Sequence, residues 1–126
     1  MCLITCLHHA SLMIRDLERS LAFYCQVLGL ELDEGRPDLG HPGAWLKIGD
    51  QQIHLLQLPN PDLDLERPSH AGHDRHLALT VSDIDRLQSL LDGIGLAYTR
   101  SNSGRCALFC RDPDSNGLEF IEQRNP

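Results

Sequence analysis

The chain has 126 residues, 18 acidic against 11 basic side chains, a net charge of -7 and a hydrophobic fraction of 41%. That composition argues against a disordered chain, and the acidic balance with Lys47 as the one lysine argues against a phosphate-tracking nucleic-acid binder. No apolar run approaches the eighteen or so residues of a membrane span, and Met1 to Ile14 lacks the basic start of a secretory signal, so a cytoplasmic protein without a membrane partner is expected.

The predicted elements follow a simple order. Residues 5–14 alternate and read as a strand. Asp16 then caps a helix on which Leu17, Leu21, Tyr24, Val27 and Leu28 recur at helical spacing, and Gly29 ends it. Short strands are expected at 30–33, 44–48 and 52–58, the last two joined by Gly49-Asp50. Pro59-Asn60-Pro61 opens a connector reaching to about residue 73. A strand over 74–81 restarts the pattern, and Asp83 caps a second helix whose Ile84, Leu87, Leu90 and Leu91 form an apolar face. Strands at 96–100, 105–111 and 118–122 follow, separated by turns at Ser101 to Gly104 and Asp112 to Gly117.

This order is βαβββ written twice. In each copy a His opens the first strand and an Asp stands seven positions on, His9 with Asp16 and His76 with Asp83. The expected fold class is therefore α+β: one domain of two βαβββ modules, about 4–58 and 74–124, whose sheets form a curved surface if the modules pack with pseudo-twofold symmetry. The five cysteines are an odd number without CxxC spacing and read as reduced thiols; Cys106 and Cys110, four apart on one predicted strand, are too distant to bridge.

Four side chains fall at corresponding points of the two copies. His9 and His76 open the first strands, while His54 and Glu119 lie within the last. Imidazole and carboxylate suit a divalent first-row metal, and two His with one carboxylate also match the facial set of non-haem iron. His8 is expected on the opposite face of its strand from His9, and His41, His70 and His73 read as loop residues. Arg75, Arg105 and Arg111 could each meet an anionic substrate; Arg105, expected on a strand beside that of Glu119, is the best placed. Trp45 and Tyr98 read as packing groups, and Glu122 as a solvated end residue.

Three stretches carry a family likeness: Asp16-Leu17-Glu18-Arg19-Ser20-Leu21-Ala22-Phe23-Tyr24 with Val27-Leu28-Gly29-Leu30, the His76-to-Asp83 phrase, and Asp112-Pro113-Asp114-Ser115-Asn116-Gly117-Leu118-Glu119. In this order they resemble the vicinal-oxygen-chelate superfamily, which includes glyoxalase I, bleomycin-resistance proteins, fosfomycin-resistance proteins and extradiol dioxygenases. The resemblance places the metal ligands on His9, His54, His76 and Glu119, and implies one divalent metal per site (Zn, Ni, Co, Mn or Fe(II)). It implies a metal-dependent lyase or isomerase of the glyoxalase-like class, acting on a small oxygenated substrate, with Glu119 and His54 as catalytic groups and Arg105 toward substrate. Where glyoxalase I typically has a glutamate, this sequence has His54, which removes one candidate base and one negative charge. An Fe(II) extradiol-type dioxygenase and a non-catalytic small-molecule (antibiotic-type) binding protein are the alternatives. A homodimer is expected, with modules pairing within a chain or between two.

Overall fold

The computed structural model describes residues 1–101 and 104–123. Asn102 and Ser103 of the predicted 101–104 turn, and the end of the second module at 124, lie outside the described residues. Contacts divide the chain into two units, Met1–Asn60 and Pro61–Pro126. The first unit carries β1 (His9–Ile14), α1 (Leu17–Leu21), β2 (Glu31–Asp33), β3 (Gly43–Ile48) and β4 (Gln51–Gln57). The second carries β5 (His76–Val81), α2 (Ile84–Gly93), β6 (Tyr98–Arg100), β7 (Ala107–Arg111) and β8 (Gly117–Glu122). Their sheets have the same order, β1-β4-β3-β2 and β5-β8-β7-β6, with the first strand parallel to the last and the other pairs antiparallel. The α+β class and the doubled βαβββ order are as the sequence predicts.

Both helices start as their aspartates dictate: Asp16 accepts from the Glu18 and Arg19 amides, and Asp83 from that of Arg86. A second anchor is repeated that the sequence conceals. Gln57 ends β4 opposite Ile14, and its Oε1 accepts from the Leu17 amide at 2.8 Å. Glu122 ends β8 opposite Val81, and its Oε2 accepts from the Ile84 amide at 2.8 Å. Each helix N-terminus is thus tied to the last strand of its own sheet, satisfying an amide no helical carbonyl can reach. Glu122 is therefore a structural acceptor, not the solvated residue expected.

Three boundaries move. The first strand begins at His9 rather than residue 5, because its partner β4 starts just after the Gly49-Asp50 turn and has nothing upstream to pair. The second copy likewise begins at His76 rather than 74. The first helix changes pitch: α1 gives way over Ala22–Val27 to a wider turn, closed by the Leu28 amide on the Phe23 carbonyl. That turn brings the adjacent Phe23 and Tyr24 both into the core, where strict helical spacing predicted Tyr24 alone. On α2, Ile84, Leu87 and Leu91 are buried while Leu90 is exposed.

Register assigns two faces to each sheet. In the first, Ile14, Ala44, Leu46, Ile53 and Leu55 are buried and share the face of Gln57, the residue that holds α1. In the second, Leu108, Cys110, Leu118 and Phe120 share the face of Glu122, which holds α2. The opposite faces carry the polar residues. There Gly43 is indispensable: a Cβ would lie 2.3 Å from the Leu55 carbonyl oxygen and 2.8 Å from Arg36 Nη2. A backbone oxygen cannot yield, so Gly43→Ala is expected to cost roughly 1–3 kcal/mol, measured as a lower urea midpoint at unchanged slope.

The predicted connector is folded onto the second unit. Asp74 Oδ2 accepts from Arg67 Nε at 2.8 Å and Arg111 Nη1 at 3.0 Å, Arg111 also donates to the Pro68 and Ser115 carbonyls, and Arg75 pairs with Asp62. Desolvation alone would raise the Asp74 pKa, but donation from Arg111, the Arg75 amide and Arg67 outweighs it and holds the carboxyl below its ordinary value. Arg75 and Arg111 are thereby both engaged in ion pairs within the second unit. No described helix is long and apolar enough to cross a membrane, and all five cysteines are free thiols.

Candidate functional site

The open faces present corresponding side chains. On the first sheet His9 pairs with Gln52, two residues before His54; on the second His76 pairs with Gly117, two residues before Glu119. Each histidine therefore stands diagonally from the second residue of its pair, on the same face. An aromatic residue flanks each pair: Trp45 is the cross-strand partner of His54, and Phe109 that of Glu119.

In the first unit four rings are in contact. His54 stacks between His9, at a centroid distance of 3.9 Å, and Trp45, at 4.6 Å. His8 Nδ1 lies 2.8 Å from His9 Nδ1. The expectation that His8 turns away from His9 is corrected here, because His8 precedes the strand and so escapes its alternation. Trp45 is a packing group as expected: half-buried on the open face, it stacks on His54. Burial, then the charges of His9, His8 and Arg36, hold the His54 pKa below its ordinary value, against an opposing pull from Asp33.

In the second unit His76 Nε2 lies 3.1 Å from Glu119 Oε1, and Arg105 Nη2 donates to Glu119 Oε2 at 3.0 Å. Glu119 is only 5% exposed, so these contacts are what make a buried carboxylate tolerable. His76 Nδ1 lies 2.8 Å from the Asp74 carbonyl. A carbonyl only accepts, so Nδ1 carries a proton and a neutral His76 turns a bare lone pair at Nε2 toward a carboxylate oxygen. Two acceptors in contact require a proton or a metal cation between them, and the backbone bond behind the ring is the usual support of a metal-ligating histidine. The donor chemistry thus fits a divalent metal. Among the described residues, no three or more His, Cys, Asp or Glu side chains are drawn together as a metal cage; each unit brings together a pair.

Arg105 precedes β7 rather than lying on it as expected, yet it still reaches Glu119. Arg36 was missed by sequence reasoning, where Gly35-Arg36-Pro37 reads only as a strand break. Its guanidinium donates to the His41 carbonyl at 3.0 Å, lies over Gly43 and acts electrostatically on His54. The signal available was positional: Arg36 and Arg105 both occupy the loop between the second and third strands of their module. His70 and His73 are not simply solvated. His70 Nδ1 accepts from the Gly72 amide at 2.9 Å, capping the short turn Ala71–His73, and its ring stacks on His73 and leans on Phe109. His41 Nδ1 lies 3.1 Å from the neighbouring Pro42 carbonyl.

Residues 6–120 match the sequence profile of the Glyoxalase/Bleomycin resistance protein/Dioxygenase superfamily. The uncharacterized protein YwkD of Bacillus subtilis is 34% identical, over 96% of this chain and 99% of its own. Glyoxylase I 4 of Arabidopsis thaliana is 30% identical, over 93% of this chain and 70% of its own. Among solved structures, a putative glyoxalase family protein from Bacillus anthracis superposes with a TM-score of 0.80 at 24% identity, over 98% of this chain and 99% of its own. Other relatives include a lactoylglutathione lyase of Haemophilus influenzae, a catechol-2,3-dioxygenase of Bacillus subtilis and the FosA of Serratia marcescens.

Proposed function

The chain belongs to the Glyoxalase/Bleomycin resistance protein/Dioxygenase superfamily, and from that premise we propose a metal-dependent enzyme of the glyoxalase-like class, a lyase or isomerase acting on a small oxygenated substrate. The observation that carries the reading is the His76–Glu119 contact, a carboxylate oxygen 3.1 Å from an imidazole nitrogen whose partner nitrogen is already committed to a backbone carbonyl. His9, His54, His76 and Glu119 are the proposed metal ligands, suited to a divalent ion (Zn, Ni, Co, Mn or Fe(II)). A superfamily fold-mate, the fosfomycin resistance protein FosX of Listeria monocytogenes, has been solved with Mn(II). When bound, the metal supplies Lewis-acid polarisation to the substrate's oxygens.

The chain's own residues do the rest. Glu119 and His54 are the proposed proton carriers, the first a carboxylate held from both sides, the second an imidazole whose pKa is held below its ordinary value chiefly by burial. Arg105, already bonded to Glu119, is the proposed anchor for an anionic oxygen of the substrate. We place the protein in the cytoplasm, where its thiols stay reduced, and as a homodimer.

A second reading is favoured by one specific feature: two histidines and one carboxylate suffice for an Fe(II) extradiol-type dioxygenase, and a catechol-2,3-dioxygenase is 30% identical over 92% of this chain, though over only 41% of its own. Elemental analysis of untagged protein, purified without added metal, is expected to find near-stoichiometric divalent metal. Turnover assays with that metal then decide between the readings. Isomerisation or lyase activity on 2-oxoaldehyde hemithioacetals supports the first, and oxygen uptake with catechols after anaerobic Fe(II) loading supports the second. Wild-type protein that holds none of the five metals sinks both and leaves a small-molecule binding protein.

A further inference from the structure

On the open face of the first sheet, Asp33, Gln52 and His54 form one directional chain. Gln52 Nε2 donates to Asp33 Oδ2 at 2.7 Å, and Gln52 Oε1 lies 2.8 Å from His54 Nε2. Asp33 Oδ1 is taken by the Gly35 amide at 2.9 Å. The bonds from Gly35 and Gln52 hold the Asp33 pKa below its ordinary value, so its oxygens accept and do not donate. The orientation of the amide then follows. Gln52 must turn its NH2 group to Asp33 and its carbonyl to His54. A carbonyl accepts only, so His54 must keep its proton on Nε2 and leave Nδ1 bare. The ring is wedged between Trp45, at an interplanar angle of 10°, and His9, at 16°, which blocks its rotation out of this pose.

We propose that Asp33 and Gln52 are positioning residues that fix His54 as its Nε2-protonated tautomer, making Nδ1 the atom with which His54 meets the metal or takes a proton. The inference rests on the metal reading above only for what Nδ1 meets. It gives the modules opposite polarity at their imidazoles: His76, bonded at Nδ1 to the Asp74 carbonyl, offers Nε2, while His54 offers Nδ1. Among the described residues, nothing in the second unit repeats the relay. Gly117 stands where the first unit has Gln52, since each is the register partner of its module's first histidine. The relay is therefore a device of the one position where this chain carries His54, and it fixes which nitrogen of an otherwise ambiguous ligand is available.

The test is long-range proton–nitrogen NMR on uniformly 15N-labelled, metal-free protein at a pH where imidazole is neutral. Wild-type His54 is expected to show one tautomer, protonated at Nε2. Gln52→Leu is expected to give a mixture of both. The double variant Asp33→Asn with Gln52→Glu reverses the first bond but keeps an acceptor facing His54, and is expected to restore the single tautomer. Adding Zn(II) should move the Nδ1 resonance, and Zn(II) affinity, read by competition with a chromophoric chelator, should fall about 10- to 100-fold in Gln52→Leu and recover in the double variant. A wild-type His54 protonated at Nδ1, a Gln52→Leu protein with an unchanged tautomer, or a zinc shift confined to Nε2 would overturn the proposal. The wild-type spectra decide it even if Gln52→Leu fails to fold. The expected tautomer without any zinc uptake defeats the metal reading and leaves the positioning role standing.

Discussion

His76→Ala is expected to lose stoichiometric metal, with affinity for Zn(II) falling roughly a hundredfold or more, since even outer supports of a ligand are worth 10- to 100-fold. The variant removes more than a donor atom. It leaves Glu119, 5% exposed, held by Arg105 without its histidine. His41→Ala is the matched control, because among the described residues the His41 ring is bonded to the adjacent Pro42 carbonyl alone. Inductively coupled plasma analysis of both variants, with thermal unfolding to confirm that each is folded, makes the comparison. Wild-type affinity in a folded His76→Ala protein would remove His76 from the ligand set. It would also leave the His76–Glu119 contact as a proton-sharing pair.

The second large effect is alkaline loss of stability through Cys110. Burial, assisted by the charge of Asp112, raises its thiol pKa from 9.0 to about 12. Below pH 9 the thiol is protonated whether the chain is folded or not, and its contribution is fully present. As pH rises from 9 toward 12 the unfolded chain releases a proton that the folded chain retains, so stability falls with pH. Three pKa units correspond to a loss on the order of 4 kcal/mol by the top of that window. Tyr98 shifts in the same direction through desolvation and its bond to Asp92, so the whole-protein slope exceeds that of the thiol. Urea unfolding from pH 8 to 11 should therefore be steeper in wild type than in Cys110→Ala. The alanine variant starts from a lower stability, because it leaves a small void beside Leu118. Equal slopes would show that the thiol ionises in place.

How much of this was legible in advance follows a physical division. Local patterns carried the doubled βαβββ order, the aspartate caps and the Gly49-Asp50 hairpin, because alternation, capping and turn chemistry act over a few residues. They also ranked His9 and His76 together, since the spacing to Asp16 and Asp83 is the same. Strand ends were less legible: where β1 starts depends on where β4 runs out, a fact that lies forty residues away. The widened turn at Ala22–Val27 is likewise invisible to a fixed helical period, yet it decides that Phe23 joins the core.

By itself, the sequence determined the fold class and the repeat, through short-range patterning that burial then exploits, and it nominated the candidate donor residues. Only the tertiary structure decided what those donors are attached to. It placed Arg36 over Gly43, tied Glu122 to α2, folded Arg67 and Arg111 onto Asp74, and strung Asp33, Gln52 and His54 into a relay. Each of these joins residues whose polar atoms are directional and whose separation in the chain is uninformative. A hydrogen bond depends on angles that no spacing encodes, so His54 could be named from the sequence, but the nitrogen it offers could not.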